Sequence, residues 1–131
     1  MKLIIKSQQD YKSHIDTFEE EFECSINIEE NVLKINFDNG FIQIEDNRLL
    51  YERGENKIII EPDKTIGCDY ETPYGMFVLD IKGISVTKEA EKINNINNQE
   101  FYVVVAKARY EIQMVGVETY ENNIQIILLN K

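Results

Sequence analysis

No tryptophan occurs in these 131 residues, and there are one histidine, two prolines and two cysteines. Basic clusters and long apolar runs are missing as well. Each absence removes a class of function. Lys and Arg number 14 against 24 Asp and Glu, a net charge of −10. Nucleic acid is held by clustered cations, so no nucleic-acid partner is expected. Anionic membrane surfaces are disfavoured by the same argument. No stretch approaches the eighteen apolar residues of a spanning helix, so no membrane partner is expected. At the N-terminus the apolar run is only Leu3 to Ile5, too short for a signal-peptide core. Two cysteines, Cys24 and Cys68, cannot build a disulfide framework. These features lead to the expectation of a soluble, cytoplasmic protein with reduced thiols. The length and the 43% apolar content fit a single globular domain spanning residues 1–131.

What is present is β-forming. The chain has 20 Ile and 8 Val but only 3 Ala and 7 Leu. β-branched residues suit a pleated surface, and scarce Ala and Leu weaken helix propensity. Apolar residues alternate with polar ones in short runs: Phe22 to Ile28, Leu33 to Phe37, Ile42 to Ile44, Ile66 to Tyr70 and Phe77 to Ile81.

Turn residues set the register between these runs. Asn39-Gly40 is a strong two-residue hairpin signal and would pair Phe37 with Ile42 and Ile35 with Ile44. Asp46-Asn47 pairs Ile44 with Leu49 and Ile42 with Tyr51. Thr72-Pro73-Tyr74-Gly75 has a type I turn signature and pairs Tyr70 with Phe77 and Cys68 with Leu79. Glu30-Asn31 pairs Ile28 with Leu33, and Gly54-Glu55 pairs Tyr51 with Ile58. A loop from Pro62 to Lys64 would pair Ile60 with Ile66. The outcome is a seven-strand antiparallel meander from about Thr17 to Lys82 with one apolar face. Beyond it, Thr87 to Glu100 reads as a loop with an Asn-rich stretch and one helical turn at Lys88 to Ile93. Phe101 to Met114 reads as a long strand. A turn at Val115 to Val117 pairs Ile112 with Tyr120 and Ala108 with Ile124, in competition with a turn at Asn122-Asn123. A meander with one apolar face must hide it, and successive hairpins without crossover helices favour an up-and-down barrel of about 8–10 strands.

The segment from Asn47 to Ile81 resembles the YwiB-like family of uncharacterised bacterial proteins. Tyr70-Glu71-Thr72-Pro73-Tyr74-Gly75 is the most specific match, supported by Arg53-Gly54 and by the pattern around Tyr110, Gly116 and Ile124 to Leu128. Ile58 and Ile60 stand where a Met and a Phe are expected, a conservative change for a core. The resemblance implies an all-β, calycin-like (lipocalin-like) closed barrel and no established activity. By fold analogy alone, calycin relatives often hold one small apolar molecule.

Catalytic motifs are absent. His14 is the only candidate imidazole base and sits in an expected polar loop, Gln8 to Asp16. Neither a metal site nor a cofactor is expected, since no EF-hand, HExxH or Gly-rich phosphate loop occurs. Cys24 and Cys68 fall on the inward face as small hydrophobes. Glu19, Glu21 and Glu23 share an outward face, as gatekeeping charges do on a sheet edge. Tyr51 and Tyr70 project inward, and Arg53 follows the same parity toward a barrel mouth. Tyr51, Arg53, Tyr70, Thr72 and Tyr74 are therefore the candidate ligand-binding residues, polar handles at the mouth of an apolar cavity. The competing reading of Arg53 is a structural ion pair with Asp69 or Glu71. The expected function is binding of a small apolar or amphipathic ligand without catalysis. One alternative is a filled-core interaction module using Phe41, Leu50, Ile59, Met76 and Val78 on its outer face. A weaker one is a hydrolase using carboxylates. Sequence does not set the oligomeric state, and a homodimer is compatible with it.

Overall fold

The computed structural model describes residues 1–94, 100–114 and 119–129, apart from the side chains of Thr72, residues 90–94 and 100–105, and Met114. All regular structure among the described residues is strand. The strands are β1 (Lys2–Asp10), β2 (Ile15–Glu29), β3 (Val32–Phe37), β4 (Gly40–Glu45), β5 (Arg48–Arg53), β6 (Asn56–Ile60), β7 (Thr65–Thr72), β8 (Gly75–Asn94), β9 (Glu100–Met114) and β10 (Tyr120–Leu129). They form one antiparallel sheet in the order β6-β5-β4-β3-β2-β1-β10-β9-β8-β7. Every sequential pair is adjacent except β6 and β7. The chain's first and last strands complete the circle, from Lys2 opposite Leu129 to Asp10 opposite Glu121. The sheet is thus a nearly closed up-and-down barrel with one seam.

Most hairpins keep the predicted register. Ile28 faces Leu33, Ile44 faces Leu49, Tyr51 faces Ile58, Tyr70 faces Phe77 and Ile112 faces Tyr120. Four expectations need correction. The β3–β4 turn is Asp38-Asn39, so Phe37 faces Gly40 and Ile35 faces Ile42. Asn39 takes the left-handed conformation at φ 58°, a role its short polar side chain tolerates. Gly40 is used for space: a Cβ there would lie 2.2 Å from the Phe37 ring. Residues Thr87 to Asn94 extend β8 instead of leaving the sheet, because β9 is long enough to pair with them; residues 95–99 of the expected loop lie outside the described residues. Gln8 to Asp10, expected in a loop, belong to β1.

The fourth correction concerns Pro62 to Lys64. It does not fold as a hairpin turn pairing β6 with β7; it crosses to β8. Asp63 N donates to the Gly83 carbonyl at 3.0 Å, and Gly83 N donates to the Lys64 carbonyl at 2.9 Å. At the other end of the seam a side chain replaces the missing ladder. Glu71 N donates to Asn56 Oδ1 at 2.9 Å, and Asn56 Nδ2 donates to the Glu71 carbonyl at 3.3 Å. The Asn56 amide therefore satisfies the donor and acceptor of one backbone residue, as a paired strand would.

Packing holds the barrel together. Leu3, Ile35, Ile42, Ile44, Leu49, Ile60, Ile81, Ile126 and Leu128 are each under 2% exposed. Each such side chain contributes roughly 1.5–3 kcal/mol. The ion pairs lie at the surface, where a pair is worth at most about 1 kcal/mol.

Candidate functional site

The apolar side chains fill much of the barrel, but a cavity of about 390 Å³ remains. Its position follows from strand parity. Inward residues of β1, β5 to β10 converge there. The apolar wall comes from Ile5, Leu49, Ile58, Ile60, Leu79, Ile112 and Ile124. Polar groups come from Tyr11, Tyr51, Tyr70, Tyr110, Tyr120 and Asn122, with Ser7, Gln9 and Glu20 at its margin. Apolar walls with a few convergent polar groups are the usual composition of a small-ligand site.

The tyrosines are organised by contact. Tyr11 stacks on Tyr120, with ring centroids 4.7 Å apart, and its hydroxyl donates to Gln9 Oε1 at 2.5 Å. His14, the lone histidine, stacks on the other neighbour of this group, Tyr11, at 4.9 Å. Asn122 is 5% exposed, and its Nδ2 donates to the Tyr110 hydroxyl at 2.9 Å. Burial pushes the Tyr110 hydroxyl far above the usual phenol range, so it stays protonated. Burial also raises Tyr51 and Tyr120; for Tyr51 the Arg53 guanidinium pulls the other way.

Of the candidate residues, Tyr51 and Tyr70 line the cavity. Arg53 does not. Its Nη1 contacts both Glu20 carboxylate oxygens at 2.8 Å, and its guanidinium carbon lies 5.0 Å from the Phe22 ring centroid. Arg53 does form an ion pair, but with Glu20 and not with the expected Asp69 or Glu71. Arg53 and Glu20 sit on different strands that only barrel closure brings together, so spacing in the chain could not reveal the pair. Tyr74 stands at the β7–β8 turn, 93% exposed and away from the cavity. The Thr72 side chain lies outside the described residues.

Sequence reading missed Tyr110, Tyr120 and Asn122 as site residues. A signal existed: Tyr120 and Asn122 share the parity of buried Ile124, Ile126 and Leu128, which puts an amide on an apolar face.

Other concave and reactive features are weaker. A larger depression, about 600 Å³, lies between polar cross-strand rows that include Lys6, Gln125 and Lys107. One of its three cations among the described residues, Arg109, is tied to Glu121. Cys24 and Cys68 are free and half-buried, their thiols raised chiefly by burial. Glu71 is raised by neighbouring Glu55, but both are exposed strand-end residues and neither lines the cavity. Among the described residues no His, Cys, Asp and Glu cluster could hold a metal, and no helix is long and apolar enough to cross a membrane.

No protein-family model matches the chain, and no curated protein matches it. Among solved structures, the crystal structure of ywiB protein from Bacillus subtilis matches with a TM-score of 0.73, covering 96% of this chain and 87% of that one at 12% identity. The fold is therefore YwiB-like, in line with the Tyr70 to Gly75 resemblance.

Proposed function

We propose that this YwiB-like barrel is a non-catalytic binding protein for a small amphipathic molecule. The observation that carries the reading is the cavity of about 390 Å³, lined by aliphatic side chains together with several tyrosines and a buried amide. Its volume falls at the lower end of the roughly 300–1,000 Å³ typical of small-ligand pockets. Tyr51 and Tyr70 serve as polar handles, joined by Tyr110, Tyr120 and Asn122. Arg53 acts indirectly, holding Glu20 at the cavity's margin. Two free thiols support a reducing, cytoplasmic setting.

Native mass spectrometry of protein drawn gently from its own cells tests this. The wild-type chain should carry a small molecule. A Ser7→Phe/Ile58→Phe variant, which fills the void from two sides, should appear at its bare mass with stability within about 1 kcal/mol of wild type. Equal retention by both proteins would place the ligand elsewhere.

A second reading has one observation in its favour. Tyr74, Met76 and Val78 are 93%, 60% and 63% exposed around the β7–β8 turn, an apolar tip suited to a protein partner or a second copy. Of the other residues expected in that patch, Phe41, Leu50 and Ile59 are half-covered.

A further inference from the structure

We infer that the cavity takes an uncharged amphiphile whose polar end donates a hydrogen bond, such as an alcohol or a primary amide, and that this end lies against Asn122. The inference rests on the cavity being a binding site, and adds the chemical class.

Asn122 supplies the first argument. Its amide nitrogen is spent on Tyr110, while Oδ1 is buried and has no partner among the described residues. A buried carbonyl oxygen without a donor is costly, and native proteins rarely leave one so. The missing group is an N–H or O–H, and the side chain already lines the cavity. A ligand donor supplies what the fold leaves out.

Charge supplies the second. Among the described residues no Lys, Arg or His lines the cavity. The cation beside it, Arg53, is committed to both oxygens of Glu20. A carboxylate head would be buried without a counter-ion, next to the Glu20 carboxylate, and within a chain of net charge −10. Fatty-acid anions are therefore disfavoured. The body of the ligand meets Ile60, Leu79, Ile112 and Ile124, which offer only aliphatic surface to the cavity.

The intact protein is titrated with 1-octanol, with its isomer methyl heptyl ether, and with octanoate, following tyrosine emission. The chain has no tryptophan, and five of its seven tyrosines line the cavity (Tyr11, Tyr51, Tyr70, Tyr110 and Tyr120), so the signal reports the site. Octanol should bind, with the ether and octanoate each weaker by about tenfold or more. In Asn122→Leu the gap between octanol and ether should close. Equal binding of octanol and ether to the wild type would overturn the donor assignment and leave the cavity reading standing. Preferred binding of octanoate would overturn the charge argument. Failure of all three, or equal binding of octanol by the Ser7→Phe/Ile58→Phe variant, would overturn both the inference and the reading beneath it.

Discussion

Replacing Gly83 with alanine should cost about 3 kcal/mol or more and lower the melting temperature by about 10 °C. The reason is space, since Gly83 shows no left-handed backbone. A Cβ at Gly83 would sit 2.0 Å from the Glu61 carbonyl oxygen and 2.5 Å from its carbon. Both are backbone atoms and cannot swing aside as a side chain would. To admit the methyl, the β6–β7 connection must back away by about 1.5 Å to reach an ordinary contact distance of about 3.5 Å. That motion strains the two backbone hydrogen bonds that Gly83 makes to Asp63 and Lys64. Those bonds tie one end of the seam, so the loss reaches beyond one contact. Gly67→Ala is the control: a Cβ there meets only Asp80 Oδ1, at an ordinary 3.5 Å, and stability should change by less than about 0.5 kcal/mol. Urea denaturation of both variants checks the pair. Matching midpoints for Gly83→Ala and wild type would mean that the loop does not lie on β8.

Leu49→Ala should destabilise the barrel by about 2–5 kcal/mol while enlarging the binding space. Leu49 is 0% exposed, faces Ile44 and Ile60 across its two ladders, and lines the cavity. Removing three carbons loses their burial and leaves a hole that the surrounding Ile side chains cannot close without moving strands. The hole adjoins an existing void, so a ligand can occupy it. Saturating 1-octanol should therefore stabilise Leu49→Ala more than wild type. The measurement is a pair of denaturant melts with and without the alcohol. A cost under about 1 kcal/mol would show that this part of the interior is not packed, and an equal alcohol effect in both proteins would separate the cavity from the alcohol site.

These cases mark what the sequence can and cannot reveal. Alternation and turn chemistry are local, so they carried the strand faces and five hairpin registers, including Ile112 opposite Tyr120. The β3–β4 turn moved by one residue, which shifted the pairing by two and kept Phe37, Ile35 and Ile42 on one face, because a shift of two preserves parity. The seam was not legible. Pro62 to Lys64 has hairpin length, and nothing local distinguishes a turn that pairs its own strands from one that reaches β8 through Gly83. Site residues divide the same way. Tyr51 and Tyr70 followed from parity, and the β9–β10 register sets Tyr110 opposite Asn122, whereas the Arg53–Glu20 pair joins strands that meet only after closure. Tyr74 belonged to the motif at the turn, and its 93% exposure shows a residue outside the barrel interior.

A crystal structure of the chain tests the central claim most directly. It should show the Asn56 amide bridging Glu71 across the β6–β7 seam, and behind it a space of about 390 Å³ bounded by Tyr110, Asn122 and Leu79. Tyrosine rings folded into that space so that none remains, or β6 and β7 standing apart with the interior open to water along the seam, would contradict it.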